Sequence, residues 1–150
     1  MKIGIASDHG GFELKQLIKE RLSKLDYTIV DFGNDTYNSA DDYPDYVIPL
    51  AKSVASGEIE RGIAVCGSGV GASIAANKVT GARAALINDH FAAHQGVEDD
   101  DMNILCLGGR ITGVETAMEL TLAFLNAKFL AGERHLRRLR KADPLGMKLT

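Results

Sequence analysis

Val65-Cys66-Gly67-Ser68-Gly69-Val70-Gly71 follows the short apolar run Gly62-Ile63-Ala64-Val65 and precedes a helix-like run from Ala72 to Lys78. The order reads as a strand ending on a cysteine, a glycine-rich turn, and a helix. Such a turn gathers free backbone N–H groups around one point, with the positive end of a helix dipole behind them. That geometry suits a phosphate, or an oxyanion formed during a reaction, and it favours a thiolate at its lip. The plainer reading has glycine serving only a tight corner and Cys66 as a small buried residue. Lys78 comes too late to act as a P-loop lysine. The loop also follows the third strand-like run, whereas a dinucleotide fingerprint opens the first βαβ unit.

Outward from this corner, short β-type runs alternate with longer amphipathic ones. Strands are expected at Lys2–Ala6, Thr28–Phe32, Gly62–Val65, Ala82–Ile87 and Asn103–Leu107. Apolar residues recur at helical spacing from Phe12 to Leu25, from Tyr46 to Val54, through Ile74, Ala75 and Val79, and from Val114 to Leu125. A last short helix is expected from Gly132 to Ala142, before a tail marked by Pro144 and Gly146. The alternation predicts an α/β fold, with a five-stranded parallel sheet covered by helices on both faces. One domain spans 1–150, with its C-terminal helix and tail from about 132.

The chain of 150 residues carries a formal net charge of −3, which excludes an electrostatic grip on nucleic acid or an anionic membrane. Cys66 and Cys106 form no metal-binding or C-x-x-C set, and a charge arrives too early for a secretory signal. A reduced, cytoplasmic setting is expected. Cys106, inside Ile104-Leu105-Cys106-Leu107, is expected to be inert core.

The polar residues fall beyond the carboxyl ends of the strands, where open α/β sheets bind ligands. Asp8 and His9 follow the first strand, Cys66 the third, and Gly108-Gly109-Arg110 the fifth. With strand order 2-1-3-4-5, Asp8-His9 would face Cys66 across the switch point. Ser7-Asp8 reads equally as a helix cap. Arg134 and Arg138, at i,i+4, share one helix face and present two guanidinium forks, suited to a phosphate dianion or to an exposed basic face. His90 and His94 share that spacing but lack the glutamate and third ligand of a zinc site, so no metal is expected. The run Glu98-Asp99-Asp100-Asp101 reads as a solvated loop, because four carboxylates fit badly at a helix C-terminus.

Together, Ser7-Asp8-His9-Gly10-Gly11, Asp42-Tyr43-Pro44, Cys66 to Gly71, Ala75-Ala76-Asn77-Lys78, Gly108-Gly109-Arg110 and Arg134-His135 resemble the ribose-5-phosphate isomerase type B / galactose-6-phosphate isomerase family. The resemblance covers nearly the whole chain. It implies a Rossmann-like three-layer α/β/α sandwich, a homodimer or tetramer with active sites shared between subunits, and no metal or organic cofactor. It implies an aldose–ketose isomerase of phosphorylated sugars, first ribose 5-phosphate. Cys66 then matches the base that takes the C2 proton. The amides of Gly67, Gly69, Val70 and Gly71 face the enediolate oxygen, and Ser68 relays protons. Asp8 and Tyr43 line the sugar. His9, Arg134 and Arg138 clamp the phosphate, and Arg110 enters from a partner.

One position departs from the pattern. Many family members carry His-Asn before an Asp-x-Asn segment, with that histidine opening the sugar ring; here Asp99 and Asp100 stand there. An ordinary aspartate is ionised at neutral pH and donates protons poorly. Three routes stay open: an Asp99 that keeps its proton in the assembled site, His94 or His9 in its place, or a substrate needing no ring opening, such as a four-carbon aldose 4-phosphate. Allose 6-phosphate and galactose 6-phosphate are further substrate alternatives. A phosphosugar sensor without catalysis is the rival from another class.

Overall fold

The computed structural model describes residues 1–142. Five strands, β1 (Lys2–Ser7), β2 (Thr28–Asp31), β3 (Arg61–Cys66), β4 (Ala84–Leu86) and β5 (Ile104–Gly108), alternate with α1 (Phe12–Leu22), α2 (Pro44–Ser56), α3 (Val70–Ala76), α4 (His90–Asp100) and α5 (Val114–Asn126), and α6 (Glu133–Ala142) follows. The tail with Pro144 and Gly146 lies outside the described residues.

The strands form one all-parallel sheet in the order β2-β1-β3-β5-β4. β4 and β5 are therefore exchanged relative to 2-1-3-4-5. All five residues of β5 are buried, as befits an apolar strand covered on both faces. The three residues of β4 are only half-buried and take the edge. The adjacency that matters for the site holds: Ser7 pairs with Val65 in register, and Cys66 with Gly108.

Successive residues of β3 face opposite layers. Ile63 and Val65 pack with Ile3, Ile5, Leu105 and Leu107 against residues of α1, α4 and α5. Ala64 and Cys66 pack with Ala6 and Cys106 against residues of α2 and α3. Cys106 has no exposure, and burial pushes its thiol up. On α3, Ala72, Ala75 and Ala76 are buried while Ile74 is 55% exposed.

The acidic run is not a loop. Helix α4 continues through Asp100, with Asp101 at its end in the left-handed conformation (φ 50°). The Asp89 side chain caps the helix by accepting from the Ala92 amide at 2.8 Å, and Ala93 and Val97 anchor its inner face. The carboxylates avoid mutual repulsion by finding separate partners. Glu98 meets His94 at 3.1 Å, Asp99 accepts from Gln95 at 2.9 Å, and Asp101 pairs with Arg83.

A buried cation ties α1 to β2. Lys15, with no exposure, donates from Nζ to Asp31 at 2.9 Å and to the Asn34 carbonyl at 2.7 Å. Burial alone would raise the Asp31 pKa, but hydrogen bonds from Lys19 and Lys15 outweigh it and hold the carboxyl below its usual range. Stability from this group is thus complete above its unfolded pKa and is lost as pH falls through the folded value. Lys15→Met should cost about 3 kcal/mol, the lower end for breaking a buried pair, since Lys19 still faces Asp31 at 2.6 Å. Urea denaturation at neutral pH checks this, and the deficit should shrink in acid.

Candidate active site

Three neighbouring strands end together, and their loops build the site. Behind Cys66, the Gly67–Gly69 turn enters α3. Gly69 has φ +82°, and a Cβ there would lie 2.9 Å from the backbone of Leu107 and 2.5 Å from the Leu86 side chain. The position therefore requires glycine for both conformation and space. Its amide donates to Cys66 Sγ at 3.1 Å, so the loop's backbone addresses the sulfur directly. The Val70 amide faces Ser68 Oγ at 3.4 Å. Gly71 lies against the Tyr43 ring, which a Cβ would meet at 2.7 Å. Tyr43 in turn precedes α2.

A cavity of about 340 Å³ opens here, walled by Asp8, Tyr43, Cys66, Ser68, Gly71 and Arg110, with Gly67 and Ile111 completing it. Asp8 accepts from the Gly10 amide at 2.9 Å. Burial raises its pKa against the opposing pull of His9. The resemblance brings Arg110 in from a partner, but the structure sets the chain's own Arg110 in this cavity, its guanidinium beside Gly67. It follows β5, whose last residue is paired with Cys66, and so needs no second subunit to arrive.

His9 sits at the edge of this cluster with its ring 27% exposed. Its Nδ1 and its backbone N–H both meet Asp41 Oδ1 at 2.8 Å, and Asn34 Nδ2 donates to Asp41 Oδ2 at 3.0 Å. Asp8, His9 and Asp41 offer ligand atoms within 4.8 Å of one another, close enough for a cation, but His9 Nδ1 and Asp41 Oδ1 are already engaged with each other.

Asp99, Asp100, Arg134 and Arg138 are not brought to Cys66 within this chain. Asp99 and Asp100 end α4, just before the amino end of β5, whereas Cys66 lies at the carboxyl edge of the sheet. The two edges stand roughly 15 Å apart, the rise of a five-residue strand. Arg134 and Arg138 are exposed on α6, which packs near the end of α4 through buried His135. His135 Nδ1 lies 3.2 Å from the Asp99 carbonyl and 3.3 Å from its carboxylate. Asp100, with Lys78, Arg83, Gln95, Met102 and Leu139, lines a separate and larger cavity of about 590 Å³. His90 and His94 on α4 meet with ring centres 5.6 Å apart at a tilt of 58°.

Asp41 and Asn34 were not legible as site residues. Asp41 merely precedes the Asp42-Tyr43-Pro44 motif, and it meets His9 across 32 residues of chain. Exposed Val70 and Ile74 on α3, Phe91 on α4 and Ile111 after β5 are a further unanticipated feature, and of these Ile111 lines the cavity. Among the described residues, no helix is long and apolar enough to cross a membrane.

Comparison with known proteins agrees with this geometry. The chain matches the Ribose/Galactose Isomerase family over residues 3–142. It is 45% identical over 141 residues to the putative sugar phosphate isomerase YwlF of Bacillus subtilis, covering 94% of each chain. A D-erythrulose-4-phosphate isomerase of Pectobacterium atrosepticum is 35% identical over 88% of this chain and 87% of its own. Among solved structures, ribose-5-phosphate isomerase B of Clostridium thermocellum superposes with a TM-score of 0.92 at 46% identity, covering 97% of both chains. The Mycoplasma genitalium enzyme with bound ribulose 5-phosphate gives 0.88 at 39% identity, over 94% of this chain and 93% of that one. With its fold and nearly its full length shared with these proteins, the chain belongs to the Ribose/Galactose Isomerase family.

Proposed function

We propose that this protein interconverts an aldose phosphate and its ketose phosphate, first ribose 5-phosphate and ribulose 5-phosphate, without a cofactor and in the cytoplasm. The observation that carries this reading is Cys66 Sγ at the lip of the glycine loop, contacted by the Gly69 amide at 3.1 Å, in a cavity shared with Asp8, Tyr43 and Arg110. The thiolate takes the proton from C2, and the C2–H electrons become the C1=C2 bond of a cis-enediolate. Negative charge gathers on O1, where the amides of Gly67, Val70 and Gly71 stand ready. Ser68 passes the O2 proton to O1, and Cys66, once its S–H has exchanged with solvent, delivers a proton to C1, leaving the ketose carbonyl at C2. Asp8, Tyr43 and Arg110 hold the sugar hydroxyls, and His9 lies toward the phosphate end.

In this reading a second copy of the chain completes the site. Arg134 and Arg138 clamp the phosphate from a neighbouring α6, and the neighbour's Asp99 and Asp100 take the place of the family's His-Asn. Two features support it: four matched residues lie away from Cys66 in their own chain, and large apolar side chains stand exposed, among them Ile111 (67%), which lines the cavity. Co-expressed Cys66→Ala and Arg134→Ala chains should recover about a quarter of wild-type activity by random pairing, since one site in a mixed dimer keeps both residues. A site contained in one chain would recover none.

A four-carbon substrate is the second reading. Asp99 replaces the ring-opening histidine, and an aldose 4-phosphate needs no ring opening because phosphate blocks O4. Initial rates in EDTA with ribose 5-phosphate, allose 6-phosphate, galactose 6-phosphate and erythrose 4-phosphate decide between them. Fastest turnover of ribose 5-phosphate supports the main reading. Turnover confined to erythrose 4-phosphate keeps the chemistry and moves the substrate, and binding without turnover of any sugar returns the sensor.

A further inference from the structure

The His9 side chain is held by a relay that begins far from the cavity. Buried Lys15 grips the Asn34 carbonyl at 2.7 Å, and the backbone of that turn is stitched to the end of β1 by Ser7 N–H to the Gly33 carbonyl (2.8 Å) and Asn34 N–H to the Ser7 carbonyl (2.9 Å). The fixed Asn34 then points its Nδ2 at Asp41 Oδ2, 3.0 Å away. The Asp41 carboxylate, only 3% exposed, spends its other oxygen on both the backbone N–H and the ring Nδ1 of His9, each at 2.8 Å. An ionised carboxylate accepts and never donates, so Nδ1 must carry the proton and the ring cannot flip without breaking the contact. The other ring nitrogen, Nε2, is left as the only one free for a ligand.

From this geometry we infer that Asp41 is a positioning residue for phosphate recognition: it locks His9 with Nδ1 inward and stabilises the doubly protonated ring, making Nε2 a charged donor for the substrate phosphate. The inference rests on the proposed phosphosugar site and deepens it. The sequence supplies the reason the chain needs such a device. An anion-binding histidine is only half-charged near its usual pKa of about 6.5, and a carboxylate partner moves it into its charged form.

The charges facing the pair agree. His9 is raised first by its hydrogen bond to Asp41; burial opposes this, and the charges of Asp8 and Asp41 add to the rise. Burial pushes Asp41 up, but the hydrogen bonds from Asn34 and His9 overcome it and hold the carboxyl below its usual range. Tyr37 meets the His9 ring edge-on at 6.5 Å and brings no charge. Tyr46 faces Asp41 from α2, its own hydroxyl pushed up by burial and then by Asp41, Asp45 and Asp42, so it stays neutral beside the pair. Phosphate binding through His9 is therefore full below its raised pKa and fades as pH climbs through that value.

The test uses the intact protein and inorganic phosphate as the probe. His9 ring titration is followed by NMR, and phosphate affinity is measured from pH 5.5 to 9 in wild type, Asp41→Asn, His9→Ala and the double variant. In Asp41→Asn the His9 titration should fall toward its ordinary value and phosphate should bind about tenfold more weakly at pH 7.5, as a charge-assisted bond is lost. The loss should nearly vanish at pH 5.5, where His9 is protonated in either protein. In the His9→Ala background the Asp41 substitution should have no further effect. Asn34→Ala should weaken phosphate binding in the same direction by about threefold, which keeps the test open if Asp41→Asn folds poorly. An unmoved His9 titration, or a loss of affinity that persists in full without His9, would overturn the assignment. Neither readout needs turnover, so failure to isomerise any sugar sinks the activity reading alone.

Discussion

Cys66→Ala is expected to lower kcat by about 10²–10⁴, the range for removing a positioned base, while sugar-phosphate affinity stays within a few-fold of wild type. The structure makes the substitution clean. Cys66 is 4% exposed at the end of a fully paired strand, and alanine fits the space without new contacts. What disappears is the sulfur that receives the Gly69 amide at 3.1 Å. The loop's backbone keeps its path, held at Gly69 by its own φ and close packing, so binding of the phosphosugar should persist. Thermal unfolding should therefore shift little, by the equivalent of about 1 kcal/mol. Isothermal titration with a sugar phosphate, beside initial rates, separates the two effects. A phosphosugar sensor would bind in both proteins and isomerise in neither, whereas equal loss of binding and rate would mean that Cys66 is mainly structural.

Gly69→Ala should damage chemistry and fold together. A methyl group there must contend with φ +82° and with the Leu107 backbone at 2.9 Å, and backbone in a buried central strand does not yield. The loop has to move instead, and its amides leave both the sulfur and the place where enediolate charge develops. A drop of at least about 10² in kcat follows from losing one preorganised donor, with about 2–4 kcal/mol of stability lost to strain and overpacking. Gly57→Ala is the matching control. Gly57 shares φ +82° at the end of α2, yet nothing lies within 4 Å of its added carbon. It should lose only about 1 kcal/mol and keep its rate. Parallel kinetics and urea curves on the two variants isolate the part of the effect that belongs to the site.

The residues that declared themselves in the sequence are those whose role is local. A strand, a glycine loop and a helix are adjacent in the chain, so Cys66 and Gly67–Gly71 could be read as one corner. Asp8 and Cys66 met as expected because β1 and β3 pair, a consequence of alternation and of burial on both sheet faces. The exchange of β4 and β5 turns on burial that a run such as Ala84-Ala85-Leu86 only weakly encodes. Helix α4 was hidden because its acidic end looks repulsive until Arg83, Gln95 and His94 are placed beside it, and one of these comes from another element. Asp41 was illegible for the same reason: its meaning is a contact with His9, and no local pattern announces a partner 32 residues away. Arg134 and Arg138 carried a readable pattern, two forks on one helix face, but in this chain that helix packs near the end of α4, away from Cys66, and only the proposed second copy would set them beside a phosphate.

The most direct test of proton transfer at Cys66 is isomerisation of ribose 5-phosphate in D₂O, followed by NMR for wild type and Cys66→Ala at equal protein concentration. Wild type should equilibrate aldose and ketose and place solvent deuterium at C1 of the ketose, while Cys66→Ala should do neither on the same timescale. Interconversion by Cys66→Ala at the wild-type rate, with deuterium entering C1 as it does in wild type, would contradict it.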